Sequence, residues 1–228
     1  MDRLRSARVM AGYDASPAAN LALDVAAVLL PRTHAWITYL WTPPFADGTV
    51  CRRLWRDATS LGAFVAAIER EGEAAAERRA AMGVALARAA GWSAEPLVER
   101  GYGAVGLQLA DLAEKLGPDL VLMGTPGCGA VTGTVVRYSP RPVLMIPFPL
   151  LAAERVALRD GPVVAGCAGA PDLFAPRELV EGPAGAERLA AVAAARRAAV
   201  IVAGARTAAD LHDCPRPVLI VPEPRGGT

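Results

Sequence analysis

A glycine-rich stretch directly after an apolar run is the part of this sequence most able to do chemistry. Residues 124–134 read GTPGCGAVTGT and hold four glycines in eleven positions, directly after DLVLM. Glycine at that density costs backbone entropy, so either the chain turns sharply here or another group approaches its backbone closely. Backbone N–H groups of such a turn, together with a helix N-terminus, can bind a phosphate. The stretch therefore predicts either a phosphate-binding turn or a shortened crossover loop.

A second group of polar residues follows the first apolar run, ARVMAG at 7–12. Ser16 can cap a helix that has Pro17 in its first position, and Asp14 can shape the turn before it. No histidine stands at a spacing that indicates a partner base, and the four cysteines form no CxxC pair. The sequence therefore indicates no catalytic nucleophile, no zinc site and no disulfide framework.

The composition restricts the partners of the protein. The chain has 228 residues, 53% hydrophobic and 21% charged, with a formal net charge of +1. Such a balance produces no field that favours nucleic acid or an anionic membrane. Proline or charge interrupts every apolar stretch well short of the ~20 residues that span a bilayer, and the N-terminus lacks a signal-peptide core. We expect a cytoplasmic protein without a nucleic acid or membrane partner.

The order of predicted elements gives the fold class. Strands alternate with helices, which predicts a parallel, doubly wound sheet with ligands beyond the carboxyl ends of its strands. Pro96 places its strand at a sheet edge, because proline cannot donate to a ladder. The predicted strands lie at 7–12, 34–41, 94–100, 119–124 and 142–147. One predicted helix begins at Pro17, and another covers 104–116. The stretch 61–90 is predicted to form one long helix or two shorter ones.

One further glycine motif allows a different interpretation. GYGAVG at 101–106 matches G-x-G-x-x-G, follows a strand and opens a helix, which is typical of dinucleotide binding. A nicotinamide or flavin site is less favoured, because the motif follows a predicted edge strand and the next strand ends in Gly124-Thr125 without an acid.

The sequence repeats itself. SPRPVLMIP at 139–147 returns as CPRPVLIVP at 214–222, with six of nine positions identical. Upstream of these copies, VMAGYDASP at 9–17 is echoed by VVAGCAGAP at 163–171. Such self-similarity predicts two copies of one structural unit.

The second copy is shorter than the first. Leu97 stands 85 positions after Gly12, whereas the matching Leu179 stands only 13 positions after Gly166, so the second copy lacks one strand and one long helix. Ala168 stands where the first copy has Asp14. We expect an α/β domain over residues 1–150 and a truncated second copy over 151–228.

These segments resemble the universal stress protein family in its tandem form. The resemblance is carried by VMAGYDASPAANLAL, ITYLWTPP, LADLAEKLGPDLVLMGTPG and SPRPVLMIP, the last two being the most specific. It implies a five-stranded parallel sheet in the order 3-2-1-4-5. It also implies closing strands that pair across a twofold axis, so that the two copies would form an internal pseudo-dimer within one chain. Nucleotide-binding members of that family hold ATP between the turn after strand one and a loop of pattern G-x2-G-x9-G-(S/T).

The resemblance also implies a set of nucleotide-binding residues. Gly124 and Gly127 fit the opening of the loop and Gly133-Thr134 its closing pair, but only five residues separate Gly127 from Gly133. A helix is expected after Thr134, and it reaches Pro142 about one turn early. Asp14 would lie near the ribose or a phosphate-bound metal such as Mg²⁺, and the backbone of Leu40 beside the adenine. The full candidate set is Gly12, Asp14, Ser16, Leu40, Gly124, Gly127, Gly129, Gly133 and Thr134, with no metal ligand among protein side chains.

Two functions follow from these expectations. The first is an adenine-nucleotide-binding stress protein, at most with slow ATP hydrolysis, that could also form a homodimer. The second is an interaction or scaffold protein whose shortened glycine loop has lost the ATP site.

Overall fold

The strands of the first half are held in a parallel sheet. A computed structural model describes residues 6–126, 129–167, 172–174, 177–211 and 214–223. Its first five strands are β1 (Ala7–Gly12), β2 (Thr33–Trp41), β3 (Ser93–Arg100), β4 (Leu120–Thr125) and β5 (Val143–Pro147). They lie in the order β3-β2-β1-β4-β5 and all pair in parallel. The predicted order is thus confirmed, with the Pro96 strand at the sheet edge.

Helices connect these strands as the sequence signals indicate. They are α1 (Pro17–Leu29), α2 (Gly48–Asp57), α3 (Leu61–Ala89), α4 (Val105–Leu116) and α5 (Ala130–Tyr138). Ser16 caps α1 by accepting from the Ala19 N–H at 3.1 Å, as predicted. Gly117 ends α4 in the left-handed region at φ 59°, which favours glycine. The stretch 61–90 forms one long helix, whereas α2 is an element that the sequence analysis did not predict.

The second half continues the same sheet. It contains α6 (Ala152–Asp160), β6 (Val163–Ala165), β7 (Leu179–Glu181), α7 (Ala186–Ala195), β8 (Val200–Gly204), α8 (Ala205–Ala208) and β9 (Val218–Val221), with short 3-10 turns at Asp172–Phe174 and Ala209–Leu211. β9 pairs antiparallel with β5, and the sheet then runs on through β8, β6 and β7 in parallel pairs. The described strands therefore form one nine-stranded sheet.

Each face of the sheet has its own apolar core, and both cores extend through the two halves. One core packs α1, α3 and α6 against residues such as Val9, Leu144 and Leu219. The other packs α4, α5 and α7 against residues such as Val121 and Ile201. Within the described residues, none of the helices combines the length and apolarity that crossing a membrane requires.

Candidate functional site

The candidate site lies at the carboxyl ends of β1 and β4. These strands are parallel neighbours, with Ala11 in register with Leu122. From β1 the chain continues to β2 on one side, while β4 lies on the other side, so the strand order reverses between them. Ligands of doubly wound sheets bind in the crevice outside the strands at such a reversal. The turn after β1 and the loop after β4 both reach this position.

The turn after β1 holds Asp14 at the surface. The Tyr13 N–H donates to the Thr38 carbonyl at 2.9 Å, which ties the turn to β2. Asp14 Oδ1 accepts from the Ser16 N–H at 2.9 Å, and Ala15 between them has a φ of 62°. A left-handed alanine costs energy that the surrounding bonds must offset. The turn thus presents an exposed carboxylate in a fixed backbone frame.

Tyr13 supports this turn from below. Its side chain is buried, and its hydroxyl donates to Asn20 Oδ1 at 2.7 Å. Burial raises the pKa of Tyr13 above its usual value, and the nearby Asp14 charge raises it further. The phenol therefore remains protonated at neutral pH and acts as a hydrogen-bond donor within the fold.

Two of the candidate glycines are explained by close packing. A Cβ at Gly124 would overlap the carbonyl of Ala18 and lie 2.9 Å from the Ala19 nitrogen, both in the first turn of α1. A Cβ at Gly12 would lie 2.6 Å from Met123 Sδ. Both glycines therefore allow the strand ends to approach their neighbours, whatever else lies in the crevice.

The helix after the glycine loop begins earlier than expected. Gly129 is the N-cap of α5 and provides no side-chain acceptor. The Gly133 N–H donates to the Gly129 carbonyl at 3.0 Å, and Thr134 Oγ1 donates to the Ala130 carbonyl at 2.7 Å. The expectation that Gly133-Thr134 precedes the helix is therefore wrong: both residues lie inside α5, and their donors are already bonded within it.

The start of α5 supplies a different set of donors. The first N–H groups of any α-helix have no acceptor within the helix, and in α5 these belong to residues 130–132. Gly129, Ala130 and Val131 are exposed, whereas Thr132 is buried. Gly127 and Cys128 lie outside the described residues. Sequence reasoning overlooked this helix start. The predicted helix was about one turn too short, and Gly129 stands four residues, or about one turn, before Gly133. The missing turn could therefore have indicated Gly129.

Leu40 lies on β2, two residues beyond Thr38, the residue that pairs with the last residue of β1. Gly12 is in register with Thr38, and Leu40 pairs with Glu99 of β3. The Leu40 side chain is half-buried against the core below α4. Its backbone is thus at the same carboxyl edge of the sheet as Asp14, which is where the resemblance placed the adenine.

The glycines of GYGAVG have turn and packing roles. The Gly101 N–H donates to the Trp41 carbonyl at 2.6 Å, and Gly103 has a φ of 78°. A Cβ at Gly106 would lie 2.6 Å from Thr134 Cβ, so this glycine lets α4 approach α5. Since β3 is also the edge strand, the motif is far from the position in which a dinucleotide fingerprint works.

Acidic, histidine and cysteine side chains do not gather into a candidate metal centre. Among the described residues, no three of them are close enough to hold a metal ion. Cys51, Cys167 and Cys214 are free thiols. A divalent cation at this site would therefore need ligands from a bound phosphate as well as Asp14.

Solved structures resemble this chain to different extents. A universal stress protein from Archaeoglobus fulgidus DSM 4304 aligns with 97% of this chain and 100% of its own, with a TM-score of 0.63 and 13% identity. A universal stress family protein from Burkholderia pseudomallei is 24% identical, covering 62% of this chain and 96% of its own, with a TM-score of 0.45. A family protein from Arabidopsis thaliana with AMP bound is 15% identical over 62% of this chain and 91% of its own, with a TM-score of 0.41.

The A. fulgidus protein shares its fold with nearly the whole chain, including the second half. No curated protein sequence matches at a significant level. The model of the universal stress protein family matches residues 6–147, which is more than half of the chain and includes every candidate residue. The chain therefore belongs to the universal stress protein family.

Proposed function

We propose that this protein binds an adenine nucleotide at the crevice between β1 and β4. The observation that carries the proposal is the arrangement of Asp14 and α5. An exposed carboxylate in a fixed turn and a helix N-terminus without a side-chain cap both belong to the edge where the strand order reverses. Members of this family that bind nucleotides hold ATP at the corresponding edge.

The phosphates would contact the N–H groups at the start of α5. A helix N-terminus attracts anions through these groups and through its dipole, typically by about 0.3–1 kcal/mol. Asp14 would bind the ribose hydroxyls or a Mg²⁺ carried by the phosphates, and the Leu40 backbone would border the base. Only residues 126–129 connect β4 to α5, so the phosphate contacts would come from the helix itself.

A second function is favoured by a specific observation. Gly133 and Thr134, the pair expected to close the loop, use their donors inside α5. If those donors are essential for a triphosphate, the protein is an interaction or scaffold protein of the same family, without a nucleotide. No side chain of the described site is placed as a catalytic base, so we propose no more than slow hydrolysis.

Calorimetric titration of the full chain with ATP, ADP and AMP, each with and without Mg²⁺, separates the two functions. Saturable heat and a raised melting temperature support the first. Asp14→Asn keeps the acceptor of the Ser16 N–H but removes the charge, and Gly129→Val covers the helix start where a Cβ meets no described atom within 4 Å. Both should weaken binding at least fivefold.

Asp57→Asn removes an exposed carboxylate at the far end of α2 and serves as the matched control. Absence of heat and of a thermal shift at millimolar nucleotide would leave the scaffold function. Binding that is unchanged in both site variants would place the nucleotide elsewhere.

We also propose that residues 151–228 are a truncated second copy that pairs with the first as a pseudo-dimer. Leu144 of β5 lies opposite Leu219 of β9, and these leucines occupy equivalent positions of the repeated nonapeptide. Val143 lies opposite Ile220, and Met145 opposite Val218, which is the pattern that a local twofold axis through the leucine pair produces. The order β9-β8-β6-β7 repeats the first half in reverse, without a second strand.

In the part of the second copy that the structure describes, nothing corresponds to the loop and helix start of the proposed site. Helix α8 begins at Ala205, directly after β8, so no loop separates the strand from the helix. Ala168, the counterpart of Asp14, lies outside the described residues. The three free thiols are consistent with a reducing compartment, and we propose a cytoplasmic location.

A further inference from the structure

One segment of the first half contributes nothing to either core. Residues 42–67, here called the α2 arm, comprise α2 and the first turns of α3, and no residue of this segment is buried. The arm is nevertheless regular. Asp47 Oδ1 accepts from the Thr49 and Val50 N–H groups at 2.9 and 3.0 Å, and Ser60 Oγ accepts from the Ala63 N–H at 3.1 Å. Caps at both helix starts therefore maintain an element that packs on little else.

The α2 arm exposes large apolar side chains. The exposed fractions are 56% for Trp55, 52% for Phe45 and 66% for Leu61. Trp55 packs edge-to-face on Phe64 with ring centroids 5.0 Å apart, so the aromatic surface continues from α2 onto α3. Contiguous exposed apolar surface of this kind marks a site of interaction with a protein or a membrane.

Arginines accompany this apolar surface. Arg52, Arg53 and Arg56 are exposed on α2, and Arg53 pairs with Glu71 at 3.2 Å. Of the two acids in the arm, Asp47 turns its carboxylate to the helix N–H groups, and Asp57 ends α2. Arg52 and Arg56 lie one helical turn apart and provide a pair of cations beside the aromatic surface.

The pattern fits a bilayer surface better than a protein groove. A helix that binds in a groove presents one apolar stripe at i, i+3, i+4 and i+7. In α2 that stripe, Val50 and Leu54, is already half-buried within the arm. What remains exposed is the apolar surface around Trp55, with arginines beside it. An amphipathic helix rich in arginine, tryptophan and leucine is typical of the lipid headgroup region.

The net charge of the whole chain favours no membrane partner, but the arginines of α2 form a local cationic surface. Contrary to the expectation from composition, we propose that the α2 arm docks on the surface of an anionic phospholipid bilayer. Trp55, Phe45 and Leu61 enter the headgroup and upper acyl region, while Arg52 and Arg56 contact lipid phosphates. The protein lies on the bilayer and does not cross it. This function is independent of the nucleotide site, because it uses none of that site's residues.

Co-sedimentation of the full chain with vesicles tests the proposal. We expect binding to vesicles of phosphatidylcholine and phosphatidylglycerol in equal parts, weak binding to phosphatidylcholine alone, and a decrease with salt. Each arginine near an anionic surface changes partitioning about fivefold, so Arg52→Gln with Arg56→Gln should weaken it on the order of 20-fold. The control, Arg78→Gln with Arg188→Gln, removes two other exposed charges, from α3 and α7, and should change vesicle binding little.

A second measurement reports insertion directly. Brominated lipid should quench the fluorescence of Trp55, and Trp55→Phe should remove most of that quenching, because Trp92 is buried and Trp36 and Trp41 are half-buried in or beside the sheet. Circular dichroism of each variant checks that it is folded. Three results would overturn the proposal: no sedimentation with anionic vesicles, an equal loss in the control variant, or a dimer that Trp55→Ala converts to monomer, which would assign the surface to a second copy.

Discussion

Single residues show why the glycine-rich stretch could not be interpreted from its composition. Gly124 is required because α1 lies against it, whereas a Cβ at Gly129 would meet no described atom within 4 Å. Both residues are equally flexible in the unfolded chain, so their density in sequence carries the same signal. Only the tertiary contact with Ala18 separates a packing glycine from one that is free to face a ligand.

This difference predicts that the same substitution costs much more stability at Gly124 than at Gly129. Gly124→Ala should lower the free energy of unfolding by about 1–3 kcal/mol or more, because the new methyl group overlaps the backbone of α1. Gly129→Ala should change it by less than about 1 kcal/mol, since its φ of −70° suits alanine. Urea unfolding measures both. Similar losses in the two variants would contradict the packing role of Gly124.

Glu154 and Arg216 form a buried ion pair, in contrast to exposed ion pairs such as Arg206–Glu223. Their side chains are 10% and 12% exposed, and the oxygen and nitrogen lie 3.5 Å apart. Within the described structure, Glu154 Oε2 and Arg216 Nε have no hydrogen-bond partner. Burial of such a pair costs desolvation that an imperfect geometry offsets only in part.

We expect Glu154→Leu alone to destabilise the protein by about 3–5 kcal/mol, because it leaves the Arg216 guanidinium buried without a counter-charge. Glu154→Leu combined with Arg216→Met should recover most of that loss. Chemical denaturation of the single and double variants measures the recovery.

The exposed pair Arg206–Glu223 is the control, where Glu223→Gln should change stability by about 1 kcal/mol at most. A double variant as unstable as the sum of its two single variants would show that the partners are not coupled.

At the level of elements, the sequence predicts those helices and strands that have local capping or proline signals or a buried apolar face. Ser16 and Pro17 specify the start of α1, and Pro96 specifies the edge position of β3. Helix α2 was not predicted from the sequence, because none of its residues is buried and its apolar stripe consists only of Val50 and Leu54. The start of α5 was placed one turn late, because Gly133-Thr134 matched a pattern whose spacing this chain does not keep.

The second half shows how a deleted helix can be replaced. Its strands β6 and β8 have Val163 and Val202 on the face that α1 and α3 cover in the first half. On that face Leu150, Leu158 and Phe174 pack against the same cluster, so α6 and a short 3-10 turn occupy the space. Sequence reasoning recorded the missing elements but could not identify their replacement, which depends on where the connecting segment packs.

Phe174→Ala should therefore destabilise the second half by about 3–5 kcal/mol, the usual cost of removing a buried phenyl ring. Phe174 is 3% exposed. The neighbouring Leu173 is only half-buried, and Leu173→Ala is expected to cost clearly less. Thermal unfolding followed by circular dichroism compares the two. An equal loss in both would mean that the turn as a whole, rather than the Phe174 ring, covers the sheet.

At the scale of the molecule, the contact between β5 and β9 joins the two halves. Leu144 and Leu219 are fully buried in one continuous core. The strand order of the first half followed from the family resemblance, and the repeated nonapeptide indicated that the closing strands pair. The position of the short edge strand β7 beside β6 could not be predicted from the sequence. In the first half the equivalent strand β3 pairs with β2, and the described second half has no counterpart of β2.

If β9 occupies a position that a second β5 could also fill, a chain ending at Leu150 should dimerise. Removal of residues 151–228 exposes the unpaired edge of β5, and an exposed apolar edge strand pairs with another chain. The segments PRPVL are identical in the two strands, so a second β5 can present the same residues to Leu144 that β9 presents. Sedimentation equilibrium should give twice the mass of the shortened chain at micromolar concentration. A folded, monomeric 1–150 chain would show that β9 stabilises the edge by contacts that β5 cannot reproduce.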